Sequence, residues 1–385
     1  MSALDRRQFL AAAAAAATVA PSAPEARPGI KNPLIVNALG ALEDPNPDPA
    51  KVAPTAANPV ADPKPTALSE RVLRDAHASG LTAVNVTLGY VAGAIEPFEY
   101  TIRDIARMDA LIRRQAHDLS KIYTAADIDR AQAERKIGVI YGFQNSVMLG
   151  NDAGRTALFA DLGVRIIQLT YNPANALGDG SAAAGNHGLT PFGRQIVAQL
   201  NRNRIIVDLS HSGQNTCLDA ARASTRPISI NHTGCRALND LPRNKTNEEL
   251  RLVASQGGFI GIYFMPFLNP AGHARADDVV AHLEHAVNVC GEDHVGIGTD
   301  GSTTSIDDLE RYKAALAAEV SARQAAGISA AGERADTLPF VVDLRGVNQF
   351  RELAGRLEKR GFGSSRIEKI LGLNFLRFAR DVWGG

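Results

Sequence analysis

The stretch "RIIVDLSHSG", residues 204–213, runs through Ile205, Ile206 and Val207 and then stops abruptly at Asp208, Ser210 and His211. A short apolar run without alternation is what a strand buried on both faces requires, and such strands belong to parallel sheets covered by helices. The polar ending marks the strand's carboxyl end, where α/β proteins build their sites. Shortly afterwards "RPISINHTG" (226–234) repeats the arrangement and ends at His232.

Working outward, the same kind of run appears at "PLIVNALG" (33–40), "LTAVNVTLGY" (81–90), "KIGVIYGF" (136–143), "VRIIQLTY" (164–171), "GGFIGIYFM" (257–265) and "HVGIGTD" (294–300). Between most of them lie stretches apolar at helical spacing, such as "ERVLRDAHASG", "GRQIVAQLNRN" and "VVAHLEHAVNVCG", which end in Gly or Asn as helices do. Eight buried-type strands with intervening helices predict an α/β fold, a TIM-like (β/α)8 barrel. A doubly wound open sheet competes, but no strand is followed by G-x-G-x-x-G or a P-loop. The tail "FRELAGRLEKRGFGSSRIEKILGLNFLRFARDVW" reads as C-terminal helices around a Gly-Phe-Gly turn, packed on the barrel's outside. No internal repeat or second domain is visible, so residues 29–385 read as one barrel domain.

The chain has 385 residues, 45% of them hydrophobic, and 41 basic residues balance 41 acidic ones. That balance offers no electrostatic footprint for nucleic acid or an acidic membrane, and suits a small neutral or zwitterionic partner. Cys217, Cys235 and Cys290 lack C-x-x-C spacing and read as buried thiols. Residues 1–28 pair Arg6 and Arg7 ahead of Phe9, Leu10 and an alanine-rich stretch, the order of a twin-arginine export signal. With no other long apolar run, the expectation is an exported, periplasmic protein without a membrane span.

In a barrel the strand ends converge, so His211, His232 and Asp300 come to one pocket. Two imidazoles and a carboxylate are a usual ligand set for a catalytic divalent metal with an open position, and hydrolysis of an amide is its natural chemistry. For His77, His117, His273, His282, His285 and His294 a surface or core role suffices.

The segments "IIVDLSHSGQNT", "ISINHTGCRALNDLPRNKTNEELRLVASQGGFIGIYF", "EHAVNVCGEDHVGIGTDG" and "RIEKILGLNFLRF" together resemble the renal (membrane) dipeptidase family of zinc metallopeptidases, an amidohydrolase-like barrel family. The resemblance runs from about residue 33 to the C-terminus. It implies a zinc centre that hydrolyses dipeptides. It assigns His211 and His232 to the second metal, Arg243 of "DLPRNKT" to the substrate carboxylate and Asp300 to proton transfer. Family members often dimerise, so a homodimer is expected by the same token.

The departures are specific. Where the family's first strand ends in D-G-H-x-D, this chain has "VNALGAL", with Leu39 and Ala41 in place of the first metal's ligands. The bridging glutamate is Gln144 in "GFQNS", and the substrate-facing histidine after the fourth strand is Tyr171 in "LTYNPANALGDG". A neutral amide lacks the charge to hold two cations together, while a tyrosine can still donate to an oxyanion. One metal per chain is therefore expected, on His211 and His232 with Asp300, and with Gln144 as a weak ligand or a partner of metal-bound water. Glu43 or Asp44 in the proline-rich stretch 43–65 is a candidate replacement carboxylate. Three readings stay open: a single-metal dipeptidase or close hydrolase, a divergent lyase or isomerase using Tyr171, Gln144 and Asp300, and a binding protein that has lost catalysis.

Overall fold

The computed structural model describes residues 32–46 and 64–384; the export-signal stretch and most of the proline-rich loop lie outside the described residues. The strands are β1 (Val36–Gly40), β2 (Ala83–Thr87), β3 (Leu119–Lys121), β4 (Ile137–Phe143), β5 (Val164–Gln168), β6 (Ile206–Asp208), β7 (Ser229–Thr233), β8 (Phe259–Ile262) and β9 (Val295–Ile297). All pair in parallel in the order β1-β2-β4-β5-β6-β7-β8-β9, and the short β3 pairs only with β4. The sheet closes on itself: the Asp300 N–H donates to Leu39 O at 2.9 Å and the Ala41 N–H to Gly301 O at 3.0 Å. Each of the eight apolar runs is a barrel strand, and only β3 was not legible as one.

The helices are α1 (Glu70–Ala78), α2 (Pro97–Arg114), α3 (Ala125–Glu134), α4 (Arg155–Asp161), α5 (Pro191–Arg202) and α6 (Gln214–Ala223), followed by α7 (Asn247–Ser255), α8 (Ala276–Cys290), α9 (Leu309–Ala325), α10 (Gln349–Lys359), α11 (Ser364–Glu368) and α12 (Asn374–Trp383). Local chemistry starts several of them. Thr190 caps α5 by accepting from the Gly193 N–H, with Pro191 at its first position. Thr246 and Glu249 form a capping box on α7. Among the described residues no helix is long and apolar enough to cross a membrane.

In the C-terminal segment α10 packs on the outer helix α8 as expected, but α12 departs from that expectation. α12 touches β1, β6, β8 and β9, strands from opposite sides of the barrel, and so crosses beneath its amino-terminal mouth. Phe375, Phe378, Val382 and Trp383 pack there with Leu34, Val36, Ala83, Ile206 and Phe259. Trp383 also donates through Nε1 to Arg165 O at 3.2 Å. A barrel floored in this way points to the carboxyl-terminal mouth as the place for a ligand. Of the cysteines, Cys217 and Cys235 are buried as expected, whereas Cys290 is half-buried.

Candidate functional site

The mouth is built from two strand ends tied to each other. Asp208, the last residue of β6, accepts from the Ser210 N–H and the Asn231 N–H, each at 3.0 Å, and from the Ser210 hydroxyl at 2.5 Å. Ser210 Oγ in turn accepts the His232 N–H at 3.0 Å. The sequence "DLSH" thus clamps β6 to β7 one step below the two imidazoles. Close approach of the neighbouring strands depends on glycine: a Cβ at Gly261 would lie 2.0 Å from Asn231 O, and one at Gly298 1.9 Å from it.

His211 and His232 come together, Nε2 to Nε2, at 3.0 Å. Burial drives both imidazole pKa values well below the ordinary value, and Arg243 lowers them further, so both rings are neutral. The tautomer of His211 follows from its neighbour. Asn172 donates its Nδ2 to Ile328 O at 2.8 Å, so its Oδ1 faces His211 Nδ1 at 2.6 Å and must accept a proton from it. The lone pair of His211 therefore sits on Nε2, toward His232. His232 Nδ1 is buried without a partner among the described residues.

Arg243 is buried, and its Nη1 donates to Ser210 O. Its guanidinium lies 5.7 Å from the centre of the Tyr263 ring and makes no ion pair among the described residues. Asp300, just beyond β9, holds φ at +58°, a left-handed conformation that Asp tolerates better than most residues. Burial pushes its carboxyl up to about 6, Arg243 and Arg323 pull against that rise, and Glu43 adds to it. Tyr171 stacks on His211 with ring centres 4.3 Å apart.

The structure thus brings His211, His232, Arg243, Asp300 and Tyr171 to one mouth. Gln144 reaches the same end of the barrel, but its Nε2 donates to Thr87 Oγ1 at 2.7 Å and it bonds neither imidazole. Asp44 is turned to Asn46, whose Nδ2 donates to it at 2.6 Å, whereas Glu43 lies within electrostatic reach of Asp300. Leu39 is buried at the end of β1 and offers no ligand atom.

Sequence reasoning missed four contributors. Asn172 directly follows Tyr171, so its place at a strand end was a usable signal. Arg323 arrives from α9 and donates to Tyr171 Oη at 3.2 Å, with no motif to announce it. Lys245 and Glu249, both fully buried, pair at 3.4 Å behind His211, and Lys245 Nζ donates to Ser212 O.

Two imidazole nitrogens on one tetrahedral zinc lie about 3.3 Å apart. The Nε2 atoms at 3.0 Å, one of them a lone pair fixed by Asn172, therefore fit a shared divalent cation. Among the described residues no group of three His, Cys, Asp or Glu side chains is placed to hold a metal. The two Nε2 atoms are thus the metal-binding donors that the described residues bring together at this mouth.

A family model described as membrane dipeptidase, peptidase family M19, matches residues 70–331. An amidohydrolase from Pseudomonas aeruginosa, known from a crystal structure, is 29% identical with a TM-score of 0.74, over 92% of this chain and 98% of that one. An uncharacterized protein of the pqqA 5′ region in Klebsiella pneumoniae is 25% identical over 299 residues, 75% of this chain and 98% of that protein. Dipeptidase tcpJ of Claviceps purpurea is 27% identical over 286 residues, 73% of this chain but 60% of the fungal protein.

Proposed function

Because the chain belongs to the membrane dipeptidase family, peptidase family M19, we propose that it hydrolyses dipeptides or a related small amide at the mouth where His211 and His232 meet. The observation that carries this reading is the pair of neutral imidazoles 3.0 Å apart beside a buried guanidinium and a half-buried carboxyl.

His211 and His232 would hold a single divalent metal, zinc by family precedent, and Asp300 at the same mouth would be the carboxylate candidate to complete the set. Such a cation supplies Lewis acidity, polarising a carbonyl and activating water for attack. The chain's own groups do the rest. Arg243 offers its planar fork to the substrate's terminal carboxylate. Asp300, with its carboxyl near 6, accepts a proton from the attacking water and returns it to the leaving amine. Tyr171 donates its hydroxyl to the oxygen that gains charge.

Metal analysis of the purified protein beside a dipeptide assay with added zinc, manganese and cobalt tests the reading. One metal per chain with turnover supports it. Two metals overturn the single-metal site, and metal without dipeptide turnover redirects the substrate. The paired arginines Arg6 and Arg7 support export to the periplasm, which fractionation of the tagged full chain checks. A homodimer is the expected assembly, read by light scattering.

A further inference from the structure

Arg323 is unlike the other residues at the mouth because a helix outside the barrel delivers it. Its Nε donates to Glu333 Oε1 at 2.6 Å, and Glu333 Oε2 accepts the Ala330 N–H at 2.9 Å, so the guanidinium is fixed from behind. Its side chain is 18% exposed and that of Glu333 14%. Ile328, on the segment that follows α9, receives the Asn172 amide and so fastens this arm to the residue that orients His211.

A guanidinium has five donors and no acceptor. In the 3.2 Å contact with Arg323 Nη2, the Tyr171 oxygen therefore accepts, and its hydroxyl hydrogen is left for another partner. Among the described residues the hydroxyl makes no second hydrogen bond. Tyr171 lines a cavity of about 380 Å³ together with Tyr90, Asn145, Asn175 and Ile328, and among the described residues no charged side chain lines it. The tyrosine ring also stacks on His211. The arrangement places a hydroxyl donor beside the imidazole pair, with a half-buried cation directly behind its oxygen.

We propose that Arg323 is a positioning residue for Tyr171: by occupying an acceptor lobe of the phenol oxygen, it turns the hydroxyl hydrogen toward the carbonyl oxygen that becomes negative during hydrolysis. This rests on the reading that an amide is hydrolysed at the His211–His232 mouth. It accounts for the replacement of a chargeable histidine by a tyrosine, since Arg323 restores positive charge one hydrogen bond further out. The uncharged cavity then takes the acyl side of the substrate, and Arg243 takes its carboxylate.

A double-mutant cycle on the metal-loaded full chain tests this, with Tyr171→Phe, Arg323→Met and the pair. Arg323→Met lowers kcat for a dipeptide by about 100-fold with little change in KM, the lower end of what loss of an oxyanion donor costs. Combined with Tyr171→Phe it adds no further loss. Equal losses from Arg323→Met in both backgrounds would show a merely structural role and overturn the proposal. Arg323→Lys, which keeps the charge, is carried through the same cycle, so a folding defect in the methionine variant leaves the test intact. Affinity for a phosphinate dipeptide analogue, measured by calorimetry, gives the same coupling without turnover. Coupling in analogue binding with no hydrolysis of any dipeptide would remove the functional reading and leave the Arg323–Tyr171 relationship standing. Hydrolysis without coupling would do the reverse.

Discussion

Asn172 and His211 are joined by a hydrogen bond whose direction is fixed: the asparagine amide nitrogen is committed to Ile328 O, so its oxygen accepts the Nδ1 proton at 2.6 Å. That bond decides which nitrogen of His211 can bind a cation. Partners of this kind carry much of the affinity of a histidine site. Asn172→Leu should leave the barrel folded and weaken zinc binding by roughly 10- to 100-fold. Competition with a chromophoric chelator measures this, and an unchanged affinity would show that the tautomer is set elsewhere.

Arg243 is buried beside both imidazoles and Asp300 without a carboxylate partner among the described residues, which leaves its charge available to a ligand. A hydrogen bond to a charged group contributes about 1.5–3 kcal/mol. Arg243→Lys should therefore raise KM for a dipeptide by roughly 10- to 100-fold and leave a substrate amidated at its C-terminus almost unaffected. If both substrates suffer alike, Arg243 is holding the mouth together through Ser210 rather than reading a carboxylate.

How far the chain could be read ahead of its structure depended on whether a feature was local. The eight strands and their polar ends were legible because a two-sided burial pattern and its termination lie in consecutive residues. Arg323 was not, because its place depends on how the segment after β9 folds back over the mouth. The amphipathic tail "NFLRFARDVW" was recognisable as a helix, but nothing in it says whether its apolar face meets the barrel wall or its floor. Gln144 could be placed at the mouth from its strand, yet its commitment to Thr87 is a contact between strands that no local pattern encodes.

His282 should make the fold sensitive to acid at a place remote from catalysis. It is buried on α8, its Nδ1 accepts the Cys235 N–H at 2.8 Å, and its Nε2 donates to Leu268 O at 2.9 Å, so the ring is neutral and fully used. Burial lowers its pKa from 6.5 to about 4. The unfolded chain thus binds a proton that the folded one refuses between those values. The contribution is complete above pH 6.5 and is lost as pH falls toward 4, amounting to about 3 kcal/mol. Denaturant titrations of wild type and His282→Gln should show a stability gap that narrows by that amount from pH 7 to pH 4. A constant gap would mean that His282 titrates normally.

Gln144 marks the position at which a single change should fail to restore a second metal. Gln144→Glu places a carboxylate where the family resemblance expects the bridge, but the bridge needs a cation on its far side. There the end of β1 presents Leu39, buried and apolar, with Ala41 beyond it. Neither side chain has a donor atom, and an added charge without a cation is costly in a buried mouth. The variant should therefore still bind one metal per chain and lose some stability, because the amide bond to Thr87 Oγ1 at 2.7 Å is given up. Only the triple change Leu39→His, Ala41→Asp and Gln144→Glu supplies both the bridge and the private ligands, and it should raise the metal content of the loaded protein to two. Metal analysis after dialysis separates the cases: two metals on Gln144→Glu alone would mean that another group already serves the first position.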